Sequence, residues 1–236
     1  MPIKAVAFDV GQTLIHYKNP LNWQALYSPA LKQVMDACNF AHSLEADAEA
    51  QAILTKYNTR VNYREYEVAS DTIFSEILHS WCVDASKLSI AKEAFYSYFR
   101  ADATCFEDTE FVLQELKKRS IKIGALTDVA YGMDNEYALE DIAPIRHYFN
   151  VCLTSNDVGF RKPNAKGFRL LQDAFNLAAD EIAFVGDEEK DIVGANNVGF
   201  LSILVNRDAS GDNKNWGQKH TVCTLSDILA IIIQGE

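Results

Sequence analysis

Short, continuous apolar runs recur along the chain: "IKAVAF" at 3–8, "IKIGAL" at 121–126, "NVCL" at 150–153, "IAFV" at 182–185 and "LSILV" at 201–205. Runs without strict alternation predict strands of a parallel sheet that is covered on both faces. Helical spacing fills the intervals between the later runs. "DTEFVLQELKKRS" (108–120) opens on an acid, closes on bases and places Phe111, Val112 and Leu116 at helical spacing. "NAKGFRLLQDAFN" (164–176) follows Pro163, with Asn164 as its cap, and "KDIVGANNVG" (190–199) stops at Gly199. Strand–helix alternation of this kind predicts an α/β fold with a doubly wound parallel sheet. Residues 17–105 break the rhythm. They show no clear strand and read as helices over about 21–38, 43–60, 65–80 and 86–99. The predicted organisation is a core of 1–16 and 106–236 with a helical cap, 17–105, inserted after the first strand and hinged near 16–20 and 100–106. An insert at that place stands over the carboxyl end of strand one, as a lid would.

Composition narrows the reading. With 236 residues, 48% of them apolar, the chain can bury a sizeable core. A formal net charge of −11 argues against a nucleic-acid or membrane-surface partner. It leaves room for a small anionic substrate, because a metal ion and one or two placed cations reverse the local potential. The five cysteines are scattered without a C-x-x-C pair, which reads as reduced thiols in a cytoplasmic protein. The segment "MPIKAVAFDV" lacks a secretory apolar stretch, and "ILAIII" is far too short for a membrane span. Oligomeric state leaves no mark on the sequence.

Open α/β sheets bind ligands beyond the carboxyl ends of their strands, so the residues leaving each strand are the candidates for chemistry. Strand one delivers Asp9 ("FDVGQT"), strand two Thr127 and Asp128 ("GALTDV"), the loop after strand three Arg161 and Lys162 ("GFRKPN"), and strand four Asp187 and then Asp191 ("FVGDEEKD"). Carboxylates gathered at one place repel each other, and are stable together only with a cation between them or with a raised pKa. All-oxygen ligation suits magnesium, Mg2+. With a lysine and a hydroxyl beside them, the acids describe a phosphoryl-transfer site with a carboxylate nucleophile.

These four stretches, in this order, resemble the haloacid dehalogenase-like (HAD) hydrolase superfamily, whose motifs run hhhhDxDGT, hhhT/S, K and GDxxxD or GDxxxxD. The resemblance covers the sheet domain from end to end and implies a Rossmannoid core. The helical insert occupies the position of the type 1 cap. Only about thirty residues separate Thr127 from Lys162, too few for the larger cap that other branches carry there. The resemblance implies that Asp9 is the nucleophile, which becomes an aspartyl-phosphate, and also a magnesium ligand. It implies that Gly11 gives its backbone carbonyl to the metal and that Asp187 ligates it with support from Asp191. Thr127 and Lys162 would bind and neutralise the transferring phosphoryl group. Asp128, beside Thr127, joins the substrate-binding candidates. The implied activity is that of a magnesium-dependent phosphatase acting on a small phosphomonoester or acyl phosphate.

One residue departs from that pattern. The phosphatases of the superfamily carry an acid two residues after the nucleophile, as proton donor to the leaving group and base for water. Here the position is Gly11, which keeps a carbonyl and has nothing to ionise, and Gln12 stands where the pattern has glycine. Three alternatives stay open: a substrate with a good leaving group, a proton from elsewhere, or a weakly catalytic binding or regulatory module. A dehalogenase or phosphonatase using the same nucleophile is a further one. Dehalogenases tend to lose the acids of motif four, which are present here, and phosphonatases add a cap lysine, for which Lys32 and Lys56 are the candidates. Arg60 and Arg64 share a face if helical, Tyr17 and Trp23 lie near the hinge, and Glu188 and Glu189 read as a solvated first turn.

Overall fold

A computed structural model describes residues 2–17, 23–100, 103–207 and 214–233. The chain runs through β1 (Ala5–Phe8), β2 (Ile15–Tyr17), α1 (Trp23–Cys38), α2 (Leu44–Tyr57), α3 (Ser70–Ser80), α4 (Leu88–Arg100), β3 (Ala103–Cys105), α5 (Thr109–Lys118) and β4 (Lys122–Thr127). It continues through α6 (Asn135–Ala138), a 3-10 segment (Glu140–Tyr148), β5 (Val151–Thr154), α7 (Ser155–Val158), α8 (Ala165–Phe175), β6 (Ile182–Gly186), α9 (Glu189–Val198), β7 (Leu201–Val205), β8 (His220–Val222) and α10 (Ile228–Ile233).

Six strands form one parallel sheet in the order β5-β4-β1-β6-β7-β8. The continuous apolar character of β1 follows from its place at the centre. Val6 and Phe8 pack with α5 and α10 on one face, through Val112, Leu116, Ile228 and Ile232. Ala5 and Ala7 face α8 and α9 on the other, through Phe168, Leu171 and Ala195. A strand covered on both sides has no solvent face to mark with polar residues. From β1 the strand order runs outward both ways, to β4 and to β6, so the carboxyl end of β1 is the switch point where such sheets open a crevice.

Helices α1 to α4 build their own core from Tyr27, Leu31, Val34, Leu54, Phe74, Ile77, Phe95 and Tyr96, all essentially inaccessible to solvent. Each large apolar side chain so buried contributes about 1.5–3 kcal/mol. Ser43 caps α2 by accepting from the Ala46 amide at 3.3 Å. This core is not confined to the insert. Val129, Tyr131, Met133 and Tyr137, from the connection that leaves β4, pack into it, and the Tyr96 hydroxyl donates to the Tyr131 carbonyl at 2.8 Å.

Three features differ from the sequence reading. The expected absence of strands at the edges of the insert is corrected by an antiparallel pair, Ile15 opposite Cys105 and Tyr17 opposite Ala103. Three-residue strands are too short to show a period. Hinge positions 18–20 and 101–102, and the first residues expected in α1, lie outside the described residues. The expected helices over 43–60 and 65–80 are shorter, because the chain leaves α2 at Tyr57 and re-enters helix only at Ser70. Asn58 turns it by accepting from the Arg60 amide at 2.9 Å. The intervening strap then pairs with a loop of the sheet region, Tyr66 opposite Phe160. An edge strand, β8, was not foreseen. No helix among the described residues is long and apolar enough to cross a membrane.

Candidate active site

Register places the candidate side chains at one end of the sheet. Phe8 lies opposite Ala125 of β4 and Val185 of β6, so Asp9, Thr127 and Asp187 each leave their strands within two residues of that line. The Asp9 amide donates to the Val185 carbonyl at 2.9 Å, which fixes the carboxylate to the switch point. Lys162 arrives from the loop after α7. Its ammonium lies 2.6 Å from Asp9 Oδ1 and 2.7 Å from Asp191 Oδ1, and its side chain is 1% exposed. Burial alone would drive Lys162 down, but Asp191, Asp9 and Asp128 outweigh it and hold the ammonium charged.

Asp9, Asp187 and Asp191 each present a carboxylate oxygen to one space, all within 4.8 Å of one another. Asp187 also accepts from the Thr13 hydroxyl at 3.1 Å. Burial, then Asp9, Asp191 and Glu188, push Asp187 up to about 8. Burial and Asp9 likewise push Asp191 up to about 6, against the pull of Lys162. Fully ionised, three carboxylates against one ammonium would leave two negative charges; the raised Asp187 and Asp191 register that repulsion, and a divalent cation would relieve it. The donors are all oxygen, so they fit magnesium rather than a softer metal. Asp191 Oδ2 accepts from the Glu188 amide at 3.0 Å and Oδ1 meets Lys162, so Asp191 braces the group rather than opening onto it. Gly186 makes room for that brace: a Cβ there would lie 2.5 Å from Asp191 side-chain atoms.

The turn after Asp9 requires neither of its unusual residues. Gln12 has φ 58°, a left-handed conformation in which glycine is at ease and glutamine is not. At Gly11 a Cβ would meet nothing within 4 Å. Sterics therefore do not impose glycine there. Thr127 is half-buried at the end of β4.

Asp128, a candidate substrate contact from sequence, lies behind Lys162 instead. Its Oδ1 accepts from the Lys162 amide at 3.0 Å, its Oδ2 lies 3.3 Å from Lys190 Nζ, and its side chain is 4% exposed. Burial works against its charge, but Lys162, Lys190 and Arg161 outweigh burial and hold the carboxyl below its usual range. Asp128 thus holds the Lys162 loop from beneath.

The helical insert reaches this site through its strap. Arg60 bonds Glu188 at 3.0 Å, and Glu188 also meets Lys190 at 2.7 Å. Glu188 is therefore a paired residue and not part of a solvated turn. Arg60 and Arg64 are not on a helix. Arg64 is largely buried and donates to the Tyr57 carbonyl at 2.7 Å. Trp23 stacks on Phe99 at 3.8 Å within the helical core, and the Tyr17 hydroxyl donates to Asp141 at 2.8 Å. Lys32 is exposed, and Lys56 is exposed and bound to Glu76 at 2.8 Å, so neither presents a sequestered amine of the kind a Schiff base needs. Sequence reasoning missed Thr13, Glu67, Glu188 and Lys190. A threonine four residues past Asp9 and a lysine three residues past Asp187 were the available signals. Glu67, within "REYE", carries none.

Comparison with known proteins gives one consistent picture. Residues 3–199 match the family described as haloacid dehalogenase-like hydrolase. A glyceraldehyde 3-phosphate phosphatase of Methanothermobacter thermautotrophicus is 24% identical over 96% of both chains. A phosphoserine phosphatase of Thermus thermophilus is 31% identical over 50% of this chain and 47% of its own. Among solved structures, a 2-haloacid dehalogenase from Pseudomonas syringae superposes with a TM-score of 0.72 at 18% identity, covering 99% of this chain and all of its own. A HAD phosphatase from Thermococcus onnurineus superposes at 0.66 with 20% identity, covering 98% of each. At these identities the structural likenesses speak for the fold.

Proposed function

Because this chain belongs to the haloacid dehalogenase-like hydrolases, and because three carboxylates cluster there against one buried ammonium, we propose that it is a magnesium-dependent phosphatase. Its substrate is the phosphate ester or acyl phosphate of a small metabolite, and Asp9 is its nucleophile. The carrying observation is the placement of Asp9 at the switch point of the sheet, against a buried ammonium that it shares with Asp191 and within 4.8 Å of carboxylate oxygens of Asp187 and Asp191. The names of the curated relatives, which are phosphatases across much of this chain's length, favour phosphate over halide as the group removed.

In this reading Lys162 holds Asp9 Oδ1 and so aims the carboxylate, whose other oxygen attacks phosphorus. The bond from phosphorus to the leaving oxygen breaks, and an aspartyl-phosphate forms on Asp9. Thr127 donates a hydrogen bond to the phosphoryl oxygens, and Lys162 balances their charge. Water then attacks phosphorus, the bond to Asp9 breaks, and inorganic phosphate leaves. Asp9, Asp187 and the Gly11 carbonyl would hold magnesium, which when bound neutralises charge on the transferring group.

The test is a panel of sugar phosphates, nucleotides and acyl phosphates with purified protein. We expect hydrolysis in magnesium, its loss on chelation and its return on adding magnesium back. Magnesium at 100 times its dissociation constant should add about 2.7 kcal/mol of stability, and Asp187→Asn should cancel most of that. Metal-independent release of halide from halo-acids, with no phosphate released from any ester, would refute the proposal.

A further inference from the structure

The strap that joins α2 to α3 is tied to the loop that delivers Lys162, and it is tied by buried groups. The Glu67 amide donates to the Gly159 carbonyl at 3.0 Å, and the Arg161 amide donates to the Glu65 carbonyl at 2.7 Å. Together they close a short antiparallel bridge around Tyr66 and Phe160. The Glu67 carboxylate, 2% exposed, receives the Arg161 guanidinium on Oε2, together with the Ser155 hydroxyl at 2.6 Å. Arg161 Nη1 also donates to the Val129 carbonyl at 2.8 Å, and the Val129 amide donates to Ser155 Oγ at 2.9 Å. One carboxylate from the insert therefore closes a ring that includes the connection after β4, the start of α7 and the residue before Lys162.

We infer that Glu67 is a positioning residue: through Arg161 it sets the register of Lys162 against Asp9, so that the sheet domain's catalytic loop is completed by a carboxylate of the helical insert. The inference rests on the phosphatase reading for its consequences in turnover, but the geometry stands without it. Lys162 has no slack of its own. Its side chain is enclosed, its amide is held by Asp128, and its ammonium divides between Asp9 and Asp191. A shift of the preceding residue is passed directly to that ammonium. Positioning errors on the order of 1 Å cost catalysis about 100-fold. A buried ion pair of this kind is a weak source of stability, and its better-attested use is to specify one arrangement over others.

Two variants of the full chain test this. Glu67→Gln keeps the side chain's shape and loses its charge, and Glu67→Asp keeps the charge on a shorter arm. Each is assayed with an acyl phosphate and magnesium, and each is examined by amide hydrogen exchange. We expect Glu67→Gln to lower kcat by about 10- to 100-fold with KM within about twofold of the parent. Glu67→Asp should lose less. In both, exchange at the Arg161 and Lys162 amides should rise while β1 and β6 stay protected. A folded variant with unchanged kcat and unchanged exchange in that loop overturns the inference. So does a loss of melting temperature with kcat intact below it, since that is the signature of a purely structural contact. Should the parent hydrolyse no phosphate ester, the phosphatase reading fails, and the exchange comparison alone decides the inference. If Glu67→Gln does not fold, Glu67→Asp carries the same comparisons.

Discussion

Replacing Asp9 by asparagine lowers kcat for phosphate-ester hydrolysis by about 10⁴-fold or more, the scale on which a covalent nucleophile is missed. Asparagine has the volume of aspartate and can still accept a hydrogen bond through its carbonyl, but it cannot form the acyl-phosphate bond. The variant should fold. Lys162 keeps Asp191 at 2.7 Å as a charged partner, and removal of one carboxylate relieves the mutual repulsion among Asp9, Asp187 and Asp191. This matters because truncating one member of an isolated buried ion pair costs about 3–5 kcal/mol. Steady-state assay, with circular dichroism to establish folding, checks the prediction. Retained turnover in folded Asp9→Asn protein would remove Asp9 from the chemistry.

Gly11→Asp has the opposite sign. It raises turnover of phosphomonoesters with poor leaving groups by about 10²–10⁴-fold, the usual worth of a placed general acid and base. The structure makes this a clean substitution. A Cβ at position 11 meets nothing within 4 Å, and the backbone there is not left-handed, so a side chain can start from this position without backbone strain. Acyl phosphates, whose leaving group needs no proton, should gain less in the first step. The ratio of the two gains, measured on the same preparation, separates leaving-group protonation from water activation. Equal and negligible gains would mean that the proton was never limiting. Gln12, held at φ 58°, is the natural partner substitution, since Gln12→Gly relieves a conformation that costs a side-chain residue free energy.

These two residues also mark how far the sequence could be read. The places of Asp9 and Asp187 at strand ends were legible because β1 and β6 are apolar on both faces and read as continuous runs; a lone acid there is ordinarily a turn residue, and only the order of the other motifs singled these two out. Lys162 was legible from its place in the order of motifs. Asp128 was not. Its neighbour Thr127 ends the same strand, and the sequence cannot say which of two consecutive side chains turns to the crevice and which turns under the loop, as Asp128 does to reach Lys162 and Lys190. Glu67 was hidden for a different reason. Amid "REYE" a carboxylate looks solvated, and its burial depends on a partner 94 residues away, Arg161. The helices of the insert were legible by period. The strap was not, because turns at Asn58 and pairing across to 159–161 interrupt a stretch whose composition still suits a helix. At Gly11 the sequence records only a missing carboxyl, while the structure adds that a Cβ there would meet nothing within 4 Å.

The most direct test of Asp9 as nucleophile uses the same glycine. With no base at position 11 to activate water, the aspartyl-phosphate should clear slowly and accumulate. Parent protein and magnesium are mixed with an acyl phosphate for a single turnover, quenched in acid and reduced with borohydride, which converts an aspartyl-phosphate to homoserine. Peptide mass spectrometry then reads position 9. We expect homoserine at position 9 in the parent, less of it in Gly11→Asp, and none in Asp9→Asn. Phosphate release by the parent with position 9 unmodified at every quench time, or with the modified carboxylate elsewhere in the chain, would contradict the account.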